Sequence, residues 1–195
     1  MNGFVVWFTG LSAAGKSTIA SLVASELEAR GMVVDRLDGD VVREHLTKDL
    51  GFSKEDRDTN IGRIGWVASR LARAGVAVIV SAISPYEEAR QRARRAVEAY
   101  GTFVEVYVAT SIEECERRDP KGLYAKAHAG EITEFTGVSD PYEEPSKPEL
   151  RLNTEGLTPD MSAAAVVAKL EELGLLSNEA SVSGLSLTLG EEIGA

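Results

Sequence analysis

The chain has 195 residues, 44% hydrophobic and 27% charged, and its 31 acidic and 21 basic side chains give a net charge of −10. These values fit one globular domain with room for a tail and exclude a disordered or collagen-like chain. No apolar run approaches the roughly 20 residues of a membrane span, and the acidic balance works against nucleic acid and anionic membrane as partners. A single cysteine, Cys115, cannot form an internal disulfide, and no basic-then-apolar leader opens the chain. Together these features predict a cytoplasmic protein. A chain of this length buries roughly 70% of its unfolded surface and needs no metal or disulfide to fold.

In chain order, FVVWFT at 4–9 is a short apolar run that predicts a buried strand. Residues 15–30 switch to helical spacing, with Ile19, Leu22, Val23 and Leu27 on one face and Glu26 placed to pair with Arg30. Gly31 ends that helix, and 32–37 predict a second strand. Helices follow at 41–46 and 54–73, separated by a loop around Gly51 and Phe52. The run 76–82 predicts a third strand and 85–100 the helix after it, with Ser84, Pro85 and Glu87 spaced as an N-cap, first-turn proline and capping box. A fourth strand at 103–110 precedes a helix that Ser111 and Glu114 cap in the same way. A short fifth strand at 150–153 leads to a last helix, opened by Thr158 and Pro159 and running to about 173. This alternation predicts an α/β fold: a doubly wound sheet of about five parallel strands with helices on both faces. Two stretches break it. Residues 121–148 are rich in Gly, Pro and charge and form a candidate lid, and 177–195 have three Glu and no Lys or Arg and predict a tail or the start of a linker. The folded domain is accordingly placed at 1–176, with 121–148 as its lid-like segment.

Gly10, Leu11, Ser12, Ala13, Ala14, Gly15, Lys16 and Ser17 match the phosphate-loop pattern G-x-x-x-x-G-K-S/T between a strand and a helix, and Thr18 continues it. The glycines let backbone N–H groups turn in around phosphates at the positive end of the helix. Lys16 is placed to bridge the β- and γ-phosphates of ATP, and the Ser17 hydroxyl to ligate Mg²⁺. The third strand ends in Ser81 and Ala82, with no acid to hold the ion through water. The acids stand instead at Asp38 and Asp40, just past the second strand and on the same carboxyl edge. An acid there takes a substrate hydroxyl proton or orients hydrated Mg²⁺, and Asp40 also suits a helix N-cap. This suits a small kinase better than a hydrolase. Arg43, Arg57, Asn60 and Arg63 lie nearby, with Arg57, Asn60 and Ile64 on one helical face. Such arginines are either solvated or an anion cradle, since guanidinium forks match phosphate or sulfate oxygens.

Beyond these motifs the chain resembles the adenylylsulfate kinase (APS kinase) family. The matching stretches, in order, are WFTGLSAAGKST, LDGDVVREHL, DLGFSKEDRDTNIGRIGWVA, SAISPY, RDPKGLYAKAHAGEITEFTGVSDPYEEP and LRLNT. The resemblance implies phosphorylation of the 3′-hydroxyl of adenosine 5′-phosphosulfate (APS) by ATP with Mg²⁺, in sulfate activation. It implies that Phe52 and Phe135 hold the substrate adenine between them, and that Arg43, Arg57 and Asn60, with Arg63 assisting, grip the phosphosulfate and ribose. Ile83, Ser84, Lys121 and Leu123, with Thr136 and Gly137, match positions lining that pocket. Asp38 and Asp40 match an acidic pair near Mg²⁺ and the attacking hydroxyl, so that Lys16, Asp38 and Asp40 are the expected catalytic set. A homodimer, and fusion or association with ATP sulfurylase, are implied in the same way. Two departures stand out: Ala13 replaces the usual loop glycine, and His128 stands where arginine is common. Ser84 matches a serine considered as a phosphoryl carrier, but its capping pattern predicts a structural role. A kinase for another anionic acceptor and a nucleotide-dependent regulator without turnover are the rival readings.

Overall fold

In the strand order β2-β3-β1-β4-β5, all four pairings are parallel. The computed structural model describes residues 3–176, so the predicted tail at 177–195 lies outside the described residues. The strands are β1 (Phe4–Thr9), β2 (Val34–Asp38), β3 (Ala77–Ser81), β4 (Thr102–Val108) and β5 (Leu150–Leu152). Every residue of β1 and β3 is buried, as expected of strands covered on both faces. Alternate residues of β1 divide between two cores. Phe4, Val6 and Phe8 face one layer, built on α1 (Lys16–Ala29) and α7 (Pro159–Glu172), while Val5 and Trp7 face the other, built on α3 (Lys54–Arg73) and α4 (Glu87–Glu98). The latter helices lie so close that a Cβ on Gly65 would come within 2.8 Å of Ala93 Cβ. The remaining helices are α2 (Gly39–His45), α5 (Ile112–Arg118) and α6 (Leu123–His128). The doubly wound expectation is met, and Glu26 pairs with Arg30 at 2.8 Å.

Three local expectations are corrected. The second strand starts at Val34 rather than at 32, because Gly31 turns left-handed (φ 79) and the Met32 N–H closes back on Leu27 O at 3.1 Å. The cap of α2 is Asp38, whose carboxylate accepts from Asp40 N; Asp40 lies inside the first turn. Ser84 caps nothing. It adopts φ 48, and α4 starts only after Tyr86, which makes no side-chain cap. The capping carboxylate comes from far along the chain, as Glu143 Oε2 accepts from Glu87 N at 2.7 Å. By contrast Ser111 and Thr158 cap α5 and α7 as their spacing predicts. The 121–148 segment is not irregular throughout: it carries α6 and a bridge between Thr136 and Asp140, and Glu143 N bonds to Pro85 O at 2.8 Å.

Candidate active site

The phosphate loop leaves β1 at its carboxyl end, and two glycines make its course possible. Gly10 takes φ 141 with a built Cβ 2.5 Å from Val108 O, and Gly15 takes φ 105 at the start of α1. Between them Ala13 stands at φ 60, a left-handed conformation reached without glycine. The loop carbonyls are held from outside: Tyr124 Oη donates to Ser12 O at 3.1 Å, and Thr110 Oγ1 and Arg118 Nη1 donate to Ala14 O at 3.0 and 3.3 Å. Lys16 Nζ donates to Leu11 O at 2.6 Å, folding the lysine back over its own loop. Burial pulls that ammonium down to about 8, against the opposing pull of Cys115, Asp38 and Asp40.

Asp38, at the end of β2, connects three elements. Its Oδ2 accepts from Ser17 Oγ at 2.6 Å and Ser81 Oγ at 2.7 Å, and its Oδ1 from Asp40 N at 3.0 Å. Partial burial works to raise its pKa, but these hydrogen bonds outweigh it and hold the carboxyl below its ordinary range. Asp40 is 74% exposed and its carboxylate engages Lys121, which reaches it from the 121–148 segment. The two acids, the phosphate loop and Lys121 therefore meet at one edge of the sheet.

The basic face of α3 turns inward. Arg57 and Asn60 are buried, and Asn60 Oδ1 accepts from Thr47 Oγ1 at 2.7 Å. Arg57 donates through Nε to Phe52 O at 2.8 Å and through Nη2 to Glu134 O, with Asp140 Oδ2 at 3.8 Å. Arg43 Nη1 donates to Gly51 O at 2.6 Å, and its guanidinium lies 4.4 Å from the Phe52 ring centroid. Phe52 itself is 57% exposed, whereas Phe135 is buried edge-on against Tyr124 at 5.0 Å. Gly137 rests on the phosphate loop, where a Cβ would come within 3.0 Å of Leu11 Cδ2. The adjoining Thr136 Oγ1 is buried, with no hydrogen-bond partner among the described residues. Ile83 O accepts from Thr9 Oγ1 at 2.6 Å, and Ser84 Oγ accepts from Trp7 Nε1 at 3.0 Å. Leu123 is half-buried at the start of α6, against the core that contains Ala14.

Arg63 does not join this group. Its guanidinium forks onto Asp49 at 2.7 and 2.8 Å, leaving it in a partly exposed ion pair. Sequence reasoning missed the supports contributed by Tyr124, Arg118, Thr110 and Tyr142, whose hydroxyl lies 2.8 Å from Thr9 Oγ1. Nothing in the local pattern marks them, because each acts on a partner more than 90 residues away.

The family model of adenylylsulphate kinase matches residues 2–153. The chain belongs to the adenylylsulfate kinase family. It is 55% identical over 176 residues to the adenylyl-sulfate kinase of Halothermothrix orenii, covering 90% of this chain and 94% of that one. A Mycobacterium tuberculosis APS kinase solved with AMPPNP and APS superposes with a TM-score of 0.84 at 49% identity, covering 87% of this chain and 98% of that one. A probable bifunctional SAT/APS kinase of Sorangium cellulosum is 52% identical over 186 residues, 95% of this chain but 32% of its own length. The strand order places the phosphate loop against the acidic pair, on one edge of the sheet as the sequence expects.

Proposed function

We propose that this protein transfers the γ-phosphoryl group of ATP to the 3′-hydroxyl of APS, giving ADP and 3′-phosphoadenosine 5′-phosphosulfate. The observation that carries the reading is the joining of two sites. Arg57 ties the Phe52 loop to Glu134, beside Phe135, and two residues on Gly137 rests on Leu11 of the phosphate loop. In this reading an acceptor site carrying two aromatic loops abuts the site of the triphosphate. Paired aromatics suit a nucleobase, and the arginines and Asn60 around them suit an anionic group on it.

The residues divide the work by what their atoms are free to do. Lys16 swings from Leu11 O to the transferring phosphoryl group and offsets charge building on its oxygens. Both Asp38 oxygens are engaged, so it is the orienting carboxylate, held ionised against Ser17 and Ser81. Asp40, with its exposed carboxylate shared with Lys121, receives the proton of the acceptor hydroxyl. Mg²⁺ fits this donor set: Ser17 Oγ and Asp38 Oδ2 are hard oxygens 2.6 Å apart, and Mg²⁺ takes few protein ligands when phosphates and water complete its shell. When bound, the ion neutralises charge on the β- and γ-oxygens. Transfer is direct and in line. The Ser84 hydroxyl is buried against Trp7, which suits a structural role and not a phosphoryl carrier.

In the same reading residues 1–176 form the kinase domain, 121–148 close over the substrates, and 177–195 are a tail or linker. The family resemblance supports a cytoplasmic homodimer; among the described residues no helix is long and apolar enough to cross a membrane. Sedimentation of the purified chain measures the oligomer. The reading as a whole is tested by a coupled ADP-release assay across APS, nucleosides and a shikimate-type acid. APS is expected to give the highest kcat/KM; a better acceptor, or binding of ATP without turnover of any, overturns it.

A further inference from the structure

Arg90 is a charged side chain with 0% exposure, and the reaction outlined above gives it no part. It lies on α4 and spends its guanidinium on three separate elements. Nη1 donates to Ser84 O at 2.7 Å, Nη2 to Glu143 O at 2.7 Å and to Glu87, and Nε lies 2.9 Å from the equally buried Glu105 of β4. Its face lies 5.8 Å from the ring centroid of Tyr142. Glu105 is itself backed by Arg94 Nη2 at 3.2 Å, and Arg94 pairs with Glu149 at 2.7 Å. Burying so much charge is costly, and apolar side chains often replace a buried ion pair at no loss of stability. The placement of the donors therefore has to be explained by what they hold.

They hold the wall of the acceptor site. Ser84 sits at φ 48, a conformation a serine adopts only when its surroundings impose it. Arg90 grips the Ser84 carbonyl on one side; on the other, Thr9 Oγ1 grips Ile83 O at 2.6 Å, and Gly10 N reaches the same oxygen at 3.4 Å. The strap arriving from Phe135 is fastened to the same turn. Glu143 N donates to Pro85 O, Glu143 O accepts from Arg90, and Tyr142 Oη meets Thr9 Oγ1 at 2.8 Å. We propose that Arg90 is a positioning residue of the acceptor site: its guanidinium holds the Ile83 and Ser84 turn and the Tyr142 and Glu143 strap in register with the phosphate loop. The proposal rests on the acceptor assignment made above. It separates the two substrates, because Arg90 makes no hydrogen bond or ion pair to the 10–17 loop itself while it fixes two of the segments that face the acceptor.

The test uses the full chain with Arg90→Lys, and separately with Arg90→Met combined with Glu105→Leu. Lysine keeps the charge but places one ammonium where two carbonyls need a fork. The double variant removes both members of the buried pair, while Glu87 keeps Gln91 and Arg94 keeps Glu149, so no buried charge is left alone. In both, the KM for APS is expected to rise about tenfold or more, the scale of a lost buried charge-assisted bond, with the KM for ATP within about twofold. Amide hydrogen exchange at Ile83, Ser84, Tyr86, Tyr142 and Glu143 is expected to quicken about tenfold while α1 is unchanged. A folded double variant with a wild-type KM for APS overturns the proposal, and so does an equal rise for both substrates or unaltered exchange at those amides. Should Arg90→Lys fail to fold, the double variant decides. If the wild-type chain does not phosphorylate APS, the functional reading fails on its own, and the exchange measurement still decides whether Arg90 holds the turn and strap.

Discussion

Arg57 donates through Nε to the carbonyl oxygen of Phe52 at 2.8 Å, and the same guanidinium reaches Glu134 O on the loop that carries Phe135. One side chain thus spans the two aromatic loops. Its charge is largely balanced by carbonyl dipoles and by Asp140 at 3.8 Å rather than left open to solvent. In the proposed function this makes the acceptor site a clamp whose spacing is set by a planar fork.

Two substitutions separate the clamp from its lining. Phe52→Ala removes a stacking surface, an interaction worth roughly 1–3 kcal/mol per base, so the KM for APS should rise about fivefold to a hundredfold. ATP affinity should stay nearly unchanged. Arg57→Ala should do the same and Arg57→Lys should not rescue it, since an ammonium cannot reach both carbonyls. Paired titration of both substrates on each variant measures this. Rescue by lysine, with APS binding made less salt-sensitive by Arg57→Ala, would mean that Arg57 acts as a simple charge.

Lys16 carries a pH signature of its own. Burial lowers its ammonium from 10.5 to about 8. Between those values the unfolded chain binds more protons than the folded one, so stability gains from this group as pH rises through the window. Below about 8 both states are protonated and the buried charge is a constant cost. Lys16→Met should therefore melt higher than wild type at neutral pH, with the difference shrinking as pH rises from 8 towards 10.5. A bound triphosphate raises the ammonium's pKa again, so ATP binding at about pH 9 should take up protons. Calorimetry in two buffers of different ionisation enthalpy counts them. Lys16→Ala should abolish turnover, losing about three orders of magnitude or more, as expected when a charge on the transferring group goes unmet.

Ser84→Ala should keep substantial activity and lower stability. The alanine leaves Trp7 Nε1 buried without the acceptor it now has at 3.0 Å, a loss of about 1–3 kcal/mol. Thermal unfolding and kcat on the same preparation test both halves. A phosphoserine at position 84 that forms and decays at the turnover rate would overturn direct transfer.

Which parts of this arrangement the sequence declares follows from how local their causes are. β1 (Phe4–Thr9) and α3 (Lys54–Arg73) begin and end where the pattern places them, because a fully covered parallel strand is a plain apolar run and α3 carries its own cap in Ser53. The phosphate loop is legible for the same reason: its glycines answer to backbone geometry within eight residues. Ser84 is not legible, since a capping-box spacing is local whereas its φ of 48 is fixed by Trp7, Thr9 and Arg90 from other elements. Arg63 illustrates a reading that periodicity already opposes. At about 100° per residue it lies some 240° round α3 from Arg57, though only about 60° from Asn60, and there it finds Asp49. Asp38 and Asp40 both suit a helix start by composition; only the register of β2 against β3, which sets Asp38 opposite Ser81, decides which one caps.

Ala13 offers the cleanest test of strain in the phosphate loop. At φ 60 an L-residue sits in the left-handed region, at a cost of roughly 1–2 kcal/mol relative to the right-handed one. Glycine carries no such penalty but loses about 0.5–1 kcal/mol more backbone entropy on folding. The two terms oppose each other, so Ala13→Gly should stabilise the chain by a net amount of about 1 kcal/mol or less. A gain of that size raises the melting temperature of a domain this long by no more than about 4 °C. The backbone N–H at position 13 is present in both residues, so the KM for ATP should be unchanged to within about twofold, a shift of under 0.5 kcal/mol. Thermal unfolding with and without saturating ATP reads both quantities. If Ala13→Gly melts lower without ATP but not with it, the alanine is acting by holding the empty loop in shape, and its left-handed conformation is a preorganising element rather than a strain.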